Sequence, residues 1–148
     1  MYQHILIPTD GSKLAHRAVT HDGLSLAKAV GAKVTALVVE PTFNVYGVPS
    51  SKVHQMTRAF AEHAEHAKAH AASILISVAD AAKISEVPCE TVQMIHDHPY
   101  EAIVATANEK GCDLIVMAPH GRSGIAAVVL GSVTTKVLTH TSIPTLVI

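Results

Sequence analysis

The chain has 148 residues, of which 49% are hydrophobic and 16% are charged, and its formal net charge at pH 7 is -1. A chain of this length buries roughly 70% of its unfolded surface without disulfide staples, so we expect one domain spanning residues 1–148. The composition excludes a disordered chain, and the balanced charge gives no basic excess, so we expect no nucleic-acid partner.

Short apolar runs alternate with longer segments of helical periodicity, which predicts parallel strands separated by helices. The first strand, His4–Pro8, leads into the polar turn Thr9–Ser12, and the first helix follows and ends at Gly31. The second strand covers Lys33–Val39. The segment Pro41–Ser51 is rich in turn residues, and we expect it to be the least ordered part of the chain and a flap beside a site.

The middle of the chain begins with a long alanine-rich helix through about Val53–Val78. The third strand is predicted at about Cys89–Ile95. A helix capped by Asp97 or His98 follows and stops near Gly111.

The last part of the chain repeats the alternation. The fourth strand is predicted at Asp113–Ala118, a helix begins at Gly131–Ser132 and ends before Pro144, and the fifth strand is Thr145–Ile148. Five strands with right-handed crossovers predict an α/β fold, a three-layer, doubly wound, Rossmann-like parallel sheet of order 3-2-1-4-5.

A doubly wound sheet binds ligands where its strand order reverses, here between strands one and four. Asp10 follows strand one, and Gly121 follows strand four, so a carboxylate faces a glycine loop across one crevice. An acidic residue opposite a phosphate cradle suits the hydroxyls of a ribose. Backbone amides at the helix start Gly131–Ser132 attract phosphate.

Three motifs resemble those of the universal stress protein family, and the resemblance spans essentially the whole chain. They are Ile5–Ser12 (Ile-Leu-Ile-Pro-Thr-Asp-Gly-Ser), Ala36–Val39 (Ala-Leu-Val-Val) and Ile115–Gly121 (Ile-Val-Met-Ala-Pro-His-Gly), the last followed by nine residues and Gly131–Ser132. The family pattern has a glycine where this chain has Ala118. The resemblance implies an adenine nucleotide alpha hydrolase-like fold and a homodimeric ATP-binding module of the stress response.

The resemblance also implies which residues contact the nucleotide. Asp10 is expected to meet the ribose, the backbone of Val38 or Val39 to read the adenine edge, and Gly121 with Gly131–Ser132 to hold the phosphates. Mg²⁺ or Mn²⁺ is expected to bind through the phosphates of ATP rather than to a protein cage, and no catalytic residue is assigned. The full set of expected binding residues is Pro8, Thr9, Asp10, Val38, Val39, Met117, Ala118, His120, Gly121, Arg122, Gly124, Gly131, Ser132 and Val133.

Simpler interpretations of these residues stay open. Asp10 is also compatible with capping of the first helix alone, although capping and ribose contact can coexist, and Gly131–Ser132 is also compatible with an ordinary helix start. Gly121 and Gly124 are also compatible with a plain turn, and Arg122, like Lys136, with a solvated surface charge.

Other side chains give weaker signals. The histidines His63, His66 and His70 share one helix face, where solvent exposure is favoured over a zinc site because no third ligand is evident. Cys89 and Cys112 lack a Cys-x-x-Cys pair and are interpreted as small buried hydrophobes in a reducing compartment.

The leading hypothesis is a nucleotide-binding regulatory module without efficient catalysis, because the sequence lacks a P-loop lysine, a nucleophile elbow and an evident triad. The alternatives are a nucleotide-independent dimeric interaction or chaperone-like module and, further, a slow adenylate hydrolase. The apolar edge Thr145–Ile148 invites pairing in a homodimer. The chain has no signal-peptide pattern and no membrane-length run, so we expect a cytoplasmic protein with no membrane partner.

Overall fold

The structure is a computed structural model that describes residues 1–42, 49–122 and 130–148. Its strands are β1 (His4–Pro8), β2 (Lys33–Glu40), β3 (Cys89–Ile95), β4 (Leu114–Met117) and β5 (Thr145–Val147). Its helices are α1 (Lys13–Arg17), α2 (Leu24–Val30), α3 (Ser50–Ile84), α4 (Pro99–Glu109) and α5 (Ser132–His140), with a π-helical segment, Ala18–Gly23, between α1 and α2.

All five strands form one parallel sheet in the order β3-β2-β1-β4-β5, which confirms the predicted fold. At its centre Ile5 of β1 lies opposite Val34 of β2 on one side and Leu114 of β4 on the other. The strand order reverses between β1 and β4, so the carboxyl ends of these two strands bound the crevice in which such folds bind ligands.

The two faces of the sheet are buried by different helices. Ile5 and Ile7 pack in a core that contains Val19 and Leu24 of the first helical region and the C-terminal part of α3. Leu6 packs on the opposite face with residues of α4 and α5. The side chains of a strand alternate between faces, so an unbroken apolar run such as β1 fits a sheet that is covered on both sides.

The first predicted helix is interrupted. A continuous α-helix to Gly31 is expected from the sequence, but the π-helical turn at Ala18–Gly23 separates α1 from α2. The predicted end is confirmed, since Gly31 adopts φ 71°, a left-handed conformation that favours glycine.

The structure identifies the residue at the cap position of three helices, and only the cap at Asp10 is not found. Ser12, rather than Asp10, caps α1, and its Oγ accepts a hydrogen bond of 3.3 Å from the Ala15 amide. His98, rather than Asp97, occupies the cap position of α4, without a capping side-chain bond. Gly131 takes the cap position of α5, again without such a bond.

The long helix α3 has its buried side chains in only one of its two halves. It exceeds the predicted Val53–Val78 at both ends, and its buried side chains, Ala71, Leu75, Val78 and Ala82, all lie in its C-terminal half. Ser50 and Ser51, expected in the flap, belong to this helix, and residues 43–48 of that flap lie outside the described residues.

The weaker sequence signals also have structural outcomes. His66 and His70 are exposed on α3, and the described ranges contain no group of three or more side chains able to hold a metal ion. Cys112 is buried, which raises its pKa to about 11, but Cys89 is only half-buried, contrary to the expectation. No helix in the described part of the chain is long and apolar enough to cross a membrane.

Candidate functional site

A cavity of about 470 Å³ opens at the carboxyl end of the sheet, where β1, β2 and β4 end and α4 and α5 begin. This is the crevice that the strand order predicts. It is lined by Pro8, Thr9, Asp10, Ala15, Leu37, Val39, Pro41, Pro99, Ile103, Met117, Ala118, His120, Gly121, Arg122, Gly131, Ser132, Val133 and Thr134.

Most of the predicted binding residues therefore meet in one place. Val38 does not line the cavity, because its fully buried side chain packs on the opposite face with the first helices. Gly124 lies outside the described residues. Sequence reasoning missed Pro99 and Ile103 of α4, although their i, i+4 spacing already places both on one helix face.

Asp10 connects the loops that follow β1 and β4. Its Oδ1 accepts a hydrogen bond of 2.9 Å from the Ser12 amide, and its Oδ2 accepts one of 2.6 Å from the Arg122 amide. Each carboxylate oxygen can accept a second hydrogen bond, so Asp10 keeps acceptor capacity toward the cavity. A Cβ atom at Gly121 would overlap Asp10 Oδ2, which explains why glycine stands there.

The Val39 backbone faces the crevice, and no strand of the described residues lies opposite to it there. The Glu40 carbonyl accepts a hydrogen bond from the His96 amide, which lies on the β3 side of β2. Successive residues of a strand point their main-chain groups to alternate sides, so the odd-numbered residues of this part of β2 point theirs toward β1. That ladder ends where the Thr9 amide donates to the Leu37 carbonyl at 2.8 Å. Val39 is the next odd-numbered residue, and its amide and carbonyl are therefore available to the edge of a flat polar ring.

The start of α5 presents amides that have no acceptor among the described residues. The Gly131 amide donates to the Pro119 carbonyl at 2.7 Å, and the Thr134 hydroxyl donates to the Ala118 carbonyl at 3.1 Å. The amides of Ser132 and Val133, one step further on, have no acceptor within the helix. Both residues line the cavity, where the positive end of the helix dipole favours an anion.

Ala118 fits its position without backbone strain. Among the described residues other than glycine, only Glu86 has a positive φ, so Ala118 keeps a negative one. Its buried methyl group packs with Ala15 and Ala18. Alanine at this position is therefore sterically compatible with an open cavity.

Few charged side chains of the described residues lie at the site, and the arginine among them is paired. The Arg122 guanidinium Nη2 lies 3.5 Å from Oε1 of Glu40, a buried carboxylate that sequence reasoning missed. Lys136 does not line the cavity and places its ammonium 5.2 Å from the centre of the Tyr100 ring. Nδ1 of His120 is buried and has no hydrogen-bond partner within the described ranges.

Comparisons with known proteins agree with this geometry. Residues 1–148 match the model of the universal stress protein family. Universal stress protein MJ0531 of Methanocaldococcus jannaschii is 31% identical over 148 residues, which cover 100% of this chain and 82% of that protein.

Two solved structures are also similar over nearly their whole length. The structure of protein MJ0577 of Methanocaldococcus jannaschii has a TM-score of 0.78 at 25% identity, with 100% of this chain and 96% of that chain covered. A universal stress protein solved in complex with cAMP has a TM-score of 0.70 at 27% identity, with 99% and 97% covered.

Proposed function

Since the chain belongs to the universal stress protein family, we propose that it is a regulatory module that binds an adenine nucleotide between β1 and β4. The observation that carries this proposal is the open cavity, which has the Asp10 carboxylate on one side and the unpaired first-turn amides of α5 on another. The similar structure that holds cAMP supports the choice of an adenine nucleotide.

Each part of a nucleotide has a matching surface. Leu37, Val39 and Ile103 offer apolar contact to a base, and the free main-chain groups of Val39 suit the edge of adenine. Asp10 is positioned to accept hydrogen bonds from ribose hydroxyls. The amides of Ser132 and Val133 suit a phosphate.

ATP is the proposed ligand. Mg²⁺ or Mn²⁺ would bind through its phosphates, since the described residues include no cluster of three metal-binding side chains and a hard cation readily shares phosphate oxygens. The described lining residues include no lysine that could stabilise the charge of a phosphoryl group during its transfer. We therefore expect slow hydrolysis at most.

A homodimer through β5 completes the proposal. Within the described part of the chain this strand pairs with β4 on one side only, and Leu146 and Ile148 are 40% and 37% exposed. A twofold partner that adds its own β5 would cover these apolar side chains. Light scattering should give twice the chain mass, and Leu146→Lys, which places a charge on the edge, should shift the protein toward the monomer.

We place this dimer in the cytoplasm, where ligand occupancy would regulate contacts with partner proteins.

The binding proposal is tested on the purified protein. Nucleotide released by heat is identified by chromatography, and the emptied protein is titrated calorimetrically with ATP and Mg²⁺ and with AMP. We expect a released adenine nucleotide or a saturable heat of binding. The proposal is contradicted if no nucleotide is released on heating and no heat of binding is detected at millimolar ligand.

A further inference from the structure

A half-buried ion pair joins the end of β2 to Arg122, a residue that lines the cavity. Glu40 is 7% exposed at the end of β2, and its side chain faces the guanidinium of Arg122 at 3.5 Å. The backbone of Arg122 is fixed as well, because its amide donates to Asp10. Glu40 is buried whereas the Arg122 side chain is half exposed, so removal of the guanidinium would leave a buried carboxylate without its cation, and this cost favours the paired position.

This pairing matters because the site is short of positive charge. The described lining residues include only one arginine, Arg122, and one histidine, His120, and no lysine. The two stretches outside the described residues, 43–48 and 123–129, contain no lysine, arginine or histidine in the sequence. Lys136 is engaged with Tyr100 away from the cavity.

A triphosphate needs more positive charge than a monophosphate. One phosphate can be held by the two amides at the start of α5, but further phosphates normally require arginine or lysine or a metal ion. Glu40 competes with those phosphates for the single guanidinium. We propose that Glu40 is a specificity-determining residue that weakens binding of polyphosphate tails by withholding Arg122 from them. This inference rests on the proposed function of the same site.

The test measures the affinities of ATP and AMP by calorimetry in EDTA, so that no metal ion supplies the missing charge. Glu40→Gln keeps the size of the side chain and removes its charge. We expect this variant to bind ATP about tenfold more tightly, as one new charge-assisted bond to phosphate would, while AMP affinity changes less than threefold. The double variant Glu40→Gln/Arg122→Gln should lose that gain. Glu90→Gln, which removes an exposed carboxylate paired with Lys110 at the other end of the sheet, is the matched control and should leave both affinities unchanged.

The outcomes separate the inference from the function on which it rests. An ATP-to-AMP affinity ratio in Glu40→Gln within twofold of the wild type contradicts the inference alone, as does a gain that persists in the double variant. Should Glu40→Gln fail to fold, the double variant, which has the net charge of the wild type, decides.

An ATP-to-AMP affinity ratio of the double variant close to that of the wild type supports the inference. A ratio tenfold lower than that of the wild type contradicts it, because Arg122 would then already bind phosphate in the wild type. A wild-type protein that binds neither nucleotide contradicts both proposals.

Discussion

At the scale of single residues, Asp10 combines a structural contact with a binding surface. Its two carboxylate oxygens accept main-chain hydrogen bonds from Ser12 and Arg122, and these bonds fix both loops of the crevice. They also fix the carboxylate itself, because two donors on different loops leave it little rotational freedom. A pre-organised acceptor binds a ribose hydroxyl without a further ordering cost.

Replacement of Asp10 separates these two contributions. Asp10→Asn removes the charge and one acceptor oxygen, so we expect AMP affinity to fall about tenfold or more, as loss of a charge-assisted hydrogen bond does. A nucleotide without ribose hydroxyls, 2′,3′-dideoxy-AMP, should bind the variant and the wild type with more similar affinities. Calorimetry of both ligands checks this, with Asp22→Asn, which changes an exposed ion pair outside the cavity, as control. If the affinities of AMP and 2′,3′-dideoxy-AMP fall by the same factor, Asp10 only stabilises the two loops and does not bind the ribose hydroxyls.

Ala118 distinguishes the leading hypothesis from a nucleotide-independent module. Because its φ is negative and its methyl group packs with Ala15 and Ala18, Ala118→Gly should change ATP affinity less than threefold. The free energy of unfolding should fall by about 1 kcal/mol through the lost methyl burial and the added chain entropy. Calorimetry and chemical denaturation measure the two quantities. A sharp rise in ATP affinity would instead show that the alanine closes the site.

At the scale of helices and strands, local sequence patterns predicted the type and order of the elements. β4 and the part of β1 from Ile5 onward are apolar runs, and several helices have a recognisable start or stop, such as Gly31 after α2. The π-helical turn could not be predicted, because its apolar spacing matches an α-helix over such a short segment. The Glu40–Arg122 pair could not be predicted either, since 82 positions separate its members and only the folded sheet brings them together.

The π-helical turn depends on a residue without a side chain. A Cβ atom at Gly23 would lie 2.8 Å from the Ala18 carbonyl oxygen and 2.5 Å from Cδ1 of Ile7 in β1. Gly23→Ala should therefore lower the free energy of unfolding by about 1–3 kcal/mol, the usual cost of overpacking. Urea denaturation checks this, with the exposed Ser25→Ala of α2 as control, which should stay within about 0.5 kcal/mol of the wild type. A Gly23→Ala variant as stable as the wild type would show that the helix and β1 separate easily.

At the scale of the whole molecule, the two ends of the sheet differ in what they do. The carboxyl end carries the open cavity, whereas the amino end is closed by side-chain hydrogen bonds. Asp113 accepts from the amides of Gln3 and His4 and so joins β1 to the start of β4. His4 bonds to Thr35 and to the Lys110 carbonyl. We therefore expect changes at the amino end to alter stability and to leave ligand binding intact.

The pH dependence of unfolding tests this division. A carbonyl oxygen only accepts, so His4 donates through Nδ1–H to Lys110, and in the neutral ring Nε2 then accepts from the Thr35 hydroxyl. Burial lowers the pKa of His4 below its usual 6.5, and Lys33 adds to this shift, while the Lys110 carbonyl and Asp113 oppose it. The neutral ring thus stabilises the fold fully above about pH 6.5, and this contribution is lost as the pH falls toward the lower pKa of the folded state.

His4→Gln keeps a donor and an acceptor but cannot titrate, so its stability should depend less on pH. We expect the free energy of unfolding of the wild type to fall more steeply than that of His4→Gln between about pH 7 and pH 5, because burial disfavours the charged ring in the folded state. Urea denaturation at several pH values measures the difference, in which the contributions of the other histidines cancel. AMP affinity at pH 7 should be the same in both proteins. Parallel pH curves would mean that the amino end tolerates a charged imidazole, and would contradict the expected pH dependence.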